Sequence, residues 1–267
     1  MTAELRALAY VALCERAVDA KLAAVDALAS ALAAGIQADS AAAFAEFDAP
    51  GRPERPLLVA PKDVPKRGLG SEEGRAALLH AIAHIEFNAI NLACDAVQRF
   101  AGRPDAFYRD WAGVAVDEAR HFRLLRTRMA ELGCAYGDHP AHDGLWQMAE
   151  KTRGSCLQRM ALVPRLLEAR GLDVTPGMIA RLRQAGDEAS VDVLEMILRE
   201  EVAHVAIGTR WFNACCAEAG VDPEPTFLAL LESVGGAGLG GPFNLPARAE
   251  AGFSDSEMQA ISRLATR

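Results

Sequence analysis

Aromatic side chains make up only 6% of this chain, and no run alternates apolar and polar residues between turn signals. Both shortages count against β structure, where aromatic and β-branched residues are enriched and period-two patterning is the rule. The six cysteines (Cys14, Cys94, Cys134, Cys156, Cys215 and Cys216) form no Cys-x-x-Cys pair. That removes the usual thiolate zinc and dithiol redox motifs. A disulfide framework does not suit 267 residues with an ordinary core, so the thiols are expected to be reduced, in a cytoplasmic setting. No 18-residue apolar stretch is free of charge, and the opening "MTAELRALAYVALCERAVDAK" has no basic stretch leading into an apolar run. Neither a membrane span nor a secretory leader is expected. Lys and Arg number 28 against 36 Asp and Glu, a net charge of −8, which disfavours broad binding to nucleic acid or anionic membrane. No Ser-His-Asp or Cys-His arrangement stands out, and the Gly-rich 235–241 lacks Walker spacing.

What is present is helix. The chain is 51% hydrophobic and 24% charged, with abundant alanine. Residues 3–34 read as one amphipathic helix ending near Gly35, followed by a short piece at 39–47. Residues 49–71 are a Pro/Gly-rich connector carrying Arg52, Arg55, Lys62, Lys66 and Arg67. Ser71 caps a helix to about 101, with Glu72 and Glu73 in the first turn where the helix dipole favours anions. "GRPD" breaks it, and the next helix runs from 105 to 132, stopped by Gly133. A third spans 144–170, with a short continuation from Thr175-Pro176 to 185. A fourth covers 187–219. The tail holds a helix near 223–233, a Gly-rich arm read as a flexible lid, and a last helix opened by the capping box Ser254-x-x-Glu257. The expected fold is all-α: an N-terminal helical segment at 1–48, the connector, a four-helix bundle at 72–219, and a C-terminal segment at 220–267 packed on it.

Two stretches break the apolar logic of these helices. "VDEARHFRLL" holds Glu118 and His121, and "REEVAHVAIG" holds Glu201 and His204. A helix turns about 100° per residue, so each Glu and its His share a face. Glu118 shares its stripe with Trp111, Val114, Ala115, Phe122 and Leu125, and Glu201 shares its own with Leu194, Ile197, Leu198, Val205 and Gly208. Buried acids of this kind are costly unless something offsets the charge. Glu86, on the stripe of Leu79, Ile82, Ala83, Ile90, Ala93 and Val97, precedes Glu118 by 32 positions. Glu168 precedes Glu201 by 33. Two helix pairs, each giving a Glu and a Glu-x-x-His, make the ligand set of the di-iron and di-manganese carboxylate bundles. Oxygen-rich ligation with imidazole suits iron or manganese. The metal ligands expected are therefore Glu86, Glu118, His121, Glu168, Glu201 and His204. Glu168 has a less apolar face (Ala161, Pro164, Arg165) and sits just before Gly171. Facing Glu201 would require a helix interruption at 171–175, and Glu150 is the alternative on the same helix.

The set resembles the ferritin-like superfamily. More narrowly, "RGLGSEEGRAALLHAIAHIE", "ALVPRLLEARGLDVTP", "LREEVAHVAIGTRWF" and "GPFN" resemble a bacterial branch catalogued as a domain of unknown function, related to the tRNA-modifying di-iron hydroxylases. The resemblance covers nearly the whole chain. It implies a four-helix di-metal bundle but not a particular reaction.

The function expected is an oxygen-dependent di-iron oxidoreductase of the hydroxylase type, with two iron ions (a manganese or mixed pair suits the same ligands) and O2 as co-substrate. The alternatives are an iron-oxidising or storage protein, and a non-catalytic helical module tied by its metal. A small molecule or a modified nucleoside is the substrate class considered; nucleic acid is not favoured, and the chain is expected as a monomer or dimer. His80 and His84, one turn apart, point well away from Glu86 and read as packing or as hydrogen-bonding support for the ligands. His139 and His142 read as surface or capping residues. Asp117 and Asp192 either support a ligand His or face solvent, and Arg120 and Arg199 are expected to pair with nearby acids.

Overall fold

A computed structural model describes residues 4–45, 49–65, 68–235 and 239–265. Lys66 and Arg67 of the basic connector, and 236–238 of the Gly-rich arm, lie outside the described residues. Apart from one isolated bridge, all regular structure among the described residues is helical. The chain divides into two compact units, Met1–Trp146 and Gln147–Arg267.

The first unit contains α1 (Leu5–Cys14), α2 (Val18–Ala33), α3 (Glu72–Arg99) and α4 (Asp105–Glu131). α3 packs along α4 and against α1, while α2 packs on α1 and α4. Ser71 caps α3 by accepting from the Gly74 N–H, and Gly133 at φ +71° supplies the left-handed residue beyond α4. Among the described residues α3 is the one helix long and apolar enough by composition to cross a membrane, and 78% of its most apolar window is buried within the fold. It is a core helix.

The single helix expected over 3–34 is two. Glu15 is extended and α1 ends there, although no Gly or Pro marks the break. The cause lies in Lys21, which is fully buried. Its Nζ donates to the Ala12 carbonyl (2.7 Å), the Leu13 carbonyl (3.2 Å) and Asn91 Oδ1 (2.7 Å). Carbonyls at the end of α1 are thus satisfied by a side chain from α2 and turned into a corner. Gly51 completes it, since its N–H donates to the Leu13 carbonyl and a Cβ there would lie 2.1 Å from the Glu15 carbonyl oxygen. The helical piece expected at 39–47 is not helical over 39–45; Glu46 and Phe47 lie outside the described residues. Instead, the carbonyls of Asp39 and Ala42 accept from the buried guanidinium of Arg6. Among its described residues the connector has as regular structure a short 3-10 turn at Pro61–Asp63 and the Leu58–Ala141 bridge. It is pinned to the loop after α4 by Val59 N–H to the Ala141 carbonyl, Ala141 N–H to the Leu57 carbonyl, and an Arg52–Asp143 ion pair of 3.0 Å.

α5 (Gly144–Lys151) runs across the boundary between the units. The second unit then has α6 (Cys156–Leu162), a π-helical segment (Val163–Glu168), α7 (Ala169–Gln184), α8 (Glu188–Ala219), α9 (Pro223–Ser233), α10 (Leu245–Glu250) and α11 (Asp255–Leu264). α8 packs against α6, the π-helical segment and α7. The helix expected over 144–170 is broken upstream, at 152–155, and α7 runs uninterrupted through Gly171 and Pro176. Thr152 returns its hydroxyl to the Met148 and Ala149 carbonyls, the buried Arg159 takes the Ala149 carbonyl, and Ser155 caps α6. Downstream, Pro176 lacks the N–H that would bond the Leu172 carbonyl, and Asn244 Nδ2 donates to that carbonyl instead at 3.1 Å. The "GPFN" stretch therefore makes an interior proline tolerable in α7.

Candidate metal centre

In the first unit, α3 and α4 bring Glu86, Glu118 and His121 together. His121 Nδ1 lies 3.3 Å from Glu86 Oε2 and 3.5 Å from Glu118 Oε2. Each of the three offers a ligand atom within 4.8 Å of the others. Glu118 and His121 are 1% and 0% exposed, and Glu86 is equally interior at 5%. The walls are the two stripes expected from the helical period: Trp111, Val114, Ala115, Phe122 and Leu125 on α4, with Leu79, Ala83, Ile90, Ala93 and Val97 on α3, all buried. Two carboxylates and an imidazole in such surroundings carry a burial cost of several kcal/mol, which a bound divalent cation would offset. The donor set is oxygen-rich with one imidazole and no thiolate, so it fits iron or manganese.

In the second unit, α8 places His204 Nδ1 3.3 Å from Glu201 Oε1, with His204 buried and Glu201 14% exposed. Glu168 is half-buried at the end of the π-helical segment, which packs on α8. Such single-turn π segments shift the register of a helix and often occur at functional positions. Here the register change explains why the face of Glu168 reads poorly from sequence. Ala161, Pro164 and Arg165 are all buried. Arg165 pairs with Glu257 at 2.8 Å, and its guanidinium lies 4.1–4.8 Å from the ring centres of Phe227, Phe253 and Phe212. Pro164 meets α8 at Gly208, where a Cβ would come within 2.3 Å of the proline Cβ. The alternative acid, Glu150, is exposed.

The remaining histidines of α3 anchor the loop after α4. His80 Nε2 accepts from the Gly137 N–H at 2.9 Å, so in the neutral ring the proton sits on Nδ1. His84 lies between the Tyr136 hydroxyl (2.9 Å) and Asn88 Nδ2 (3.0 Å). Burial lowers both imidazoles to about 4. Tyr136 carries no motif that marks it in sequence, yet its ring packs on Phe87 and Phe122, the chain neighbours of Glu86 and His121. His139 is edge-on to His80, and His142 Nδ1 accepts from the Gly144 N–H. Asp117 pairs with Arg120 on a partly exposed face, Asp192 is exposed, and Cys215 and Cys216 are buried and form no disulfide.

Residues 14–259 match the family described as "Protein of unknown function (DUF455)". A protein of Haemophilus influenzae described as uncharacterized is 49% identical over 216 residues, covering 78% of this chain and 75% of its own. No solved structure matches.

Proposed function

For this chain, which belongs to the DUF455 family, we propose a di-metal carboxylate oxidoreductase of the oxygen-dependent hydroxylase type, built on a ferritin-like four-helix bundle. The observation that carries the proposal is the buried triad of Glu86, Glu118 and His121, whose ligand atoms lie within 4.8 Å of one another on an otherwise apolar face. The same residue pattern recurs in the second unit as Glu168, Glu201 and His204, with a His204–Glu201 approach of 3.3 Å where His121–Glu118 has 3.5 Å. Each triad would hold one of two iron ions, or manganese at one or both positions.

When bound, the ion pair supplies activation of O2 toward a substrate C–H bond. The chain's own residues do the rest. His121 and His204 each present Nδ1 toward the acid one turn away, at 3.5 and 3.3 Å, so imidazole nitrogen and carboxylate oxygen would serve the same ion. Glu118 and Glu201, each one turn from its His, would supply carboxylate oxygens to the ions. Trp111, Val114, Phe122 and Leu125 exclude water around the first triad, and the low dielectric strengthens every charge interaction there. The test is anaerobic loading with ferrous iron followed by exposure to air. A di-ferric absorption band is expected to develop; two bound irons with no spectral change would remove the oxidase class.

A further inference from the structure

A cleft of about 810 Å³ opens in the first unit, within the size range of small-molecule sites. α2 and the C-terminal half of α4 line it with Leu22, Arg123, Arg126 and Ala130, and the turn after α4 adds Cys134 and Tyr136. Its charges are already matched. Arg123 binds Asp26 at 2.7 Å, Arg126 binds Asp19 at 2.5 Å, and Glu131 binds Arg128 at 2.5 Å. A molecule entering such a rim meets no excess of either sign, so the cleft suits an uncharged one.

Tyr136 is shared between this cleft and the interior. Its ring centre lies 5.4 Å from that of Phe87 and 5.0 Å, edge-on, from that of Phe122. Both phenylalanines are buried, and they directly follow Glu86 and His121 in the chain. Phe122 lies one turn from Glu118 on the same face of α4, so an aromatic layer of Tyr136, Phe87 and Phe122 links the cleft to a wall of the buried triad. The layer is tethered from the α3 side: His84 holds the Tyr136 hydroxyl, and His80 accepts from the next backbone N–H, that of Gly137. The two α3 histidines that are not ligand candidates thus fix the residue at the inner wall of the cleft. We propose, resting on the di-metal reading above, that this cleft is the access route by which a small uncharged molecule reaches the carboxylate centre, and that Tyr136 is its gate.

Metal extraction tests this without any turnover. The full chain, loaded anaerobically with ferrous iron, is mixed with excess 2,2′-bipyridine, a neutral chelator, and the coloured complex is followed in time. Tyr136→Ala removes the gate. Ala130→Trp narrows the cleft from an exposed position, so it leaves the core intact. Tyr136→Ala is expected to speed extraction by about tenfold or more, equivalent to ~1.4 kcal/mol. Ala130→Trp is expected to slow it by a similar factor, an outcome that general loosening of the fold cannot produce. Full iron content with extraction unchanged in both variants would overturn the route and leave the di-metal reading standing. A wild-type chain that holds no metal would overturn both.

Discussion

Glu118→Leu separates a carboxylate kept for a metal from one kept for the fold. Glu118 is 1% exposed, and its stripe neighbours Trp111, Val114, Ala115, Phe122 and Leu125 are each 2% exposed or less. Leucine is close to glutamate in volume and would join that stripe without a cavity. Removing the acid does not strand its imidazole, because His121 keeps Glu86 at 3.3 Å. Replacing a buried ionic group by a well-packed apolar one is commonly neutral or stabilising, so the metal-stripped variant should gain about 1–3 kcal/mol over metal-stripped wild type. Metal reverses the order. A ligand at a hundred times its Kd stabilises the native state by about 2.7 kcal/mol, and the variant should lose most of that increment. Urea unfolding followed by helical circular dichroism, with and without iron or manganese, gives both numbers, and unchanged m-values would show that the same surface unfolds. A stripped variant that is less stable than stripped wild type by about 2 kcal/mol or more would refute the reasoning, because Glu118 would then be a structural partner.

Three further outcomes follow from the packing. His80 titrates near 4 when folded against 6.5 when unfolded, so between those values the unfolded chain binds more protons. Its contribution is present in full above pH 6.5 and lost as pH falls toward 4, about 2 kcal/mol once partial screening is allowed for. His80→Gln, which can still accept from Gly137, should flatten that part of the urea midpoint against pH. Gly208→Ala should cost about 1–3 kcal/mol by thermal unfolding, since its Cβ would collide with Pro164, whereas Gly177→Ala, with nothing within 4 Å, should be neutral or mildly stabilising. Lys21→Met should cost about 2–4 kcal/mol in urea by leaving the Ala12 and Leu13 carbonyls and Asn91 Oδ1 without their buried donor, while metal content stays at the wild-type level.

α3 and α4 were legible in the sequence because their ends carry local chemistry: Ser71 as N-cap and Gly133 as the left-handed stop. The triad of Glu86, Glu118 and His121 was legible for a related reason. Charged residues at helical spacing on an apolar stripe contradict their surroundings, and that contradiction needs no tertiary knowledge to detect. The break between α1 and α2 was not legible, because its cause is an amine, Lys21, that bonds backward to the preceding helix and outward to Asn91. Pro176 was misread as a helix start because the group that makes it an interior residue, Asn244, lies 68 positions further along. The upstream break at 152–155 did have local signals, Gly154 and the N-cap Ser155 at the end of the polar run Glu150–Ser155. Tyr136 had none: its place against Phe87 and Phe122 depends on where the loop after α4 folds back, and that depends on His80 and His84 of α3.

Metal content per chain tests the central claim most directly. The protein, purified without added chelator and reconstituted with iron or manganese, is measured by elemental analysis beside the double variant Glu118→Gln, Glu201→Gln. The account predicts about two ions per wild-type chain, as the paired Glu and Glu-x-x-His sets require, and a near-complete loss in the variant. A wild-type chain that retains neither metal after reconstitution, or a variant that binds as much as wild type, would contradict it.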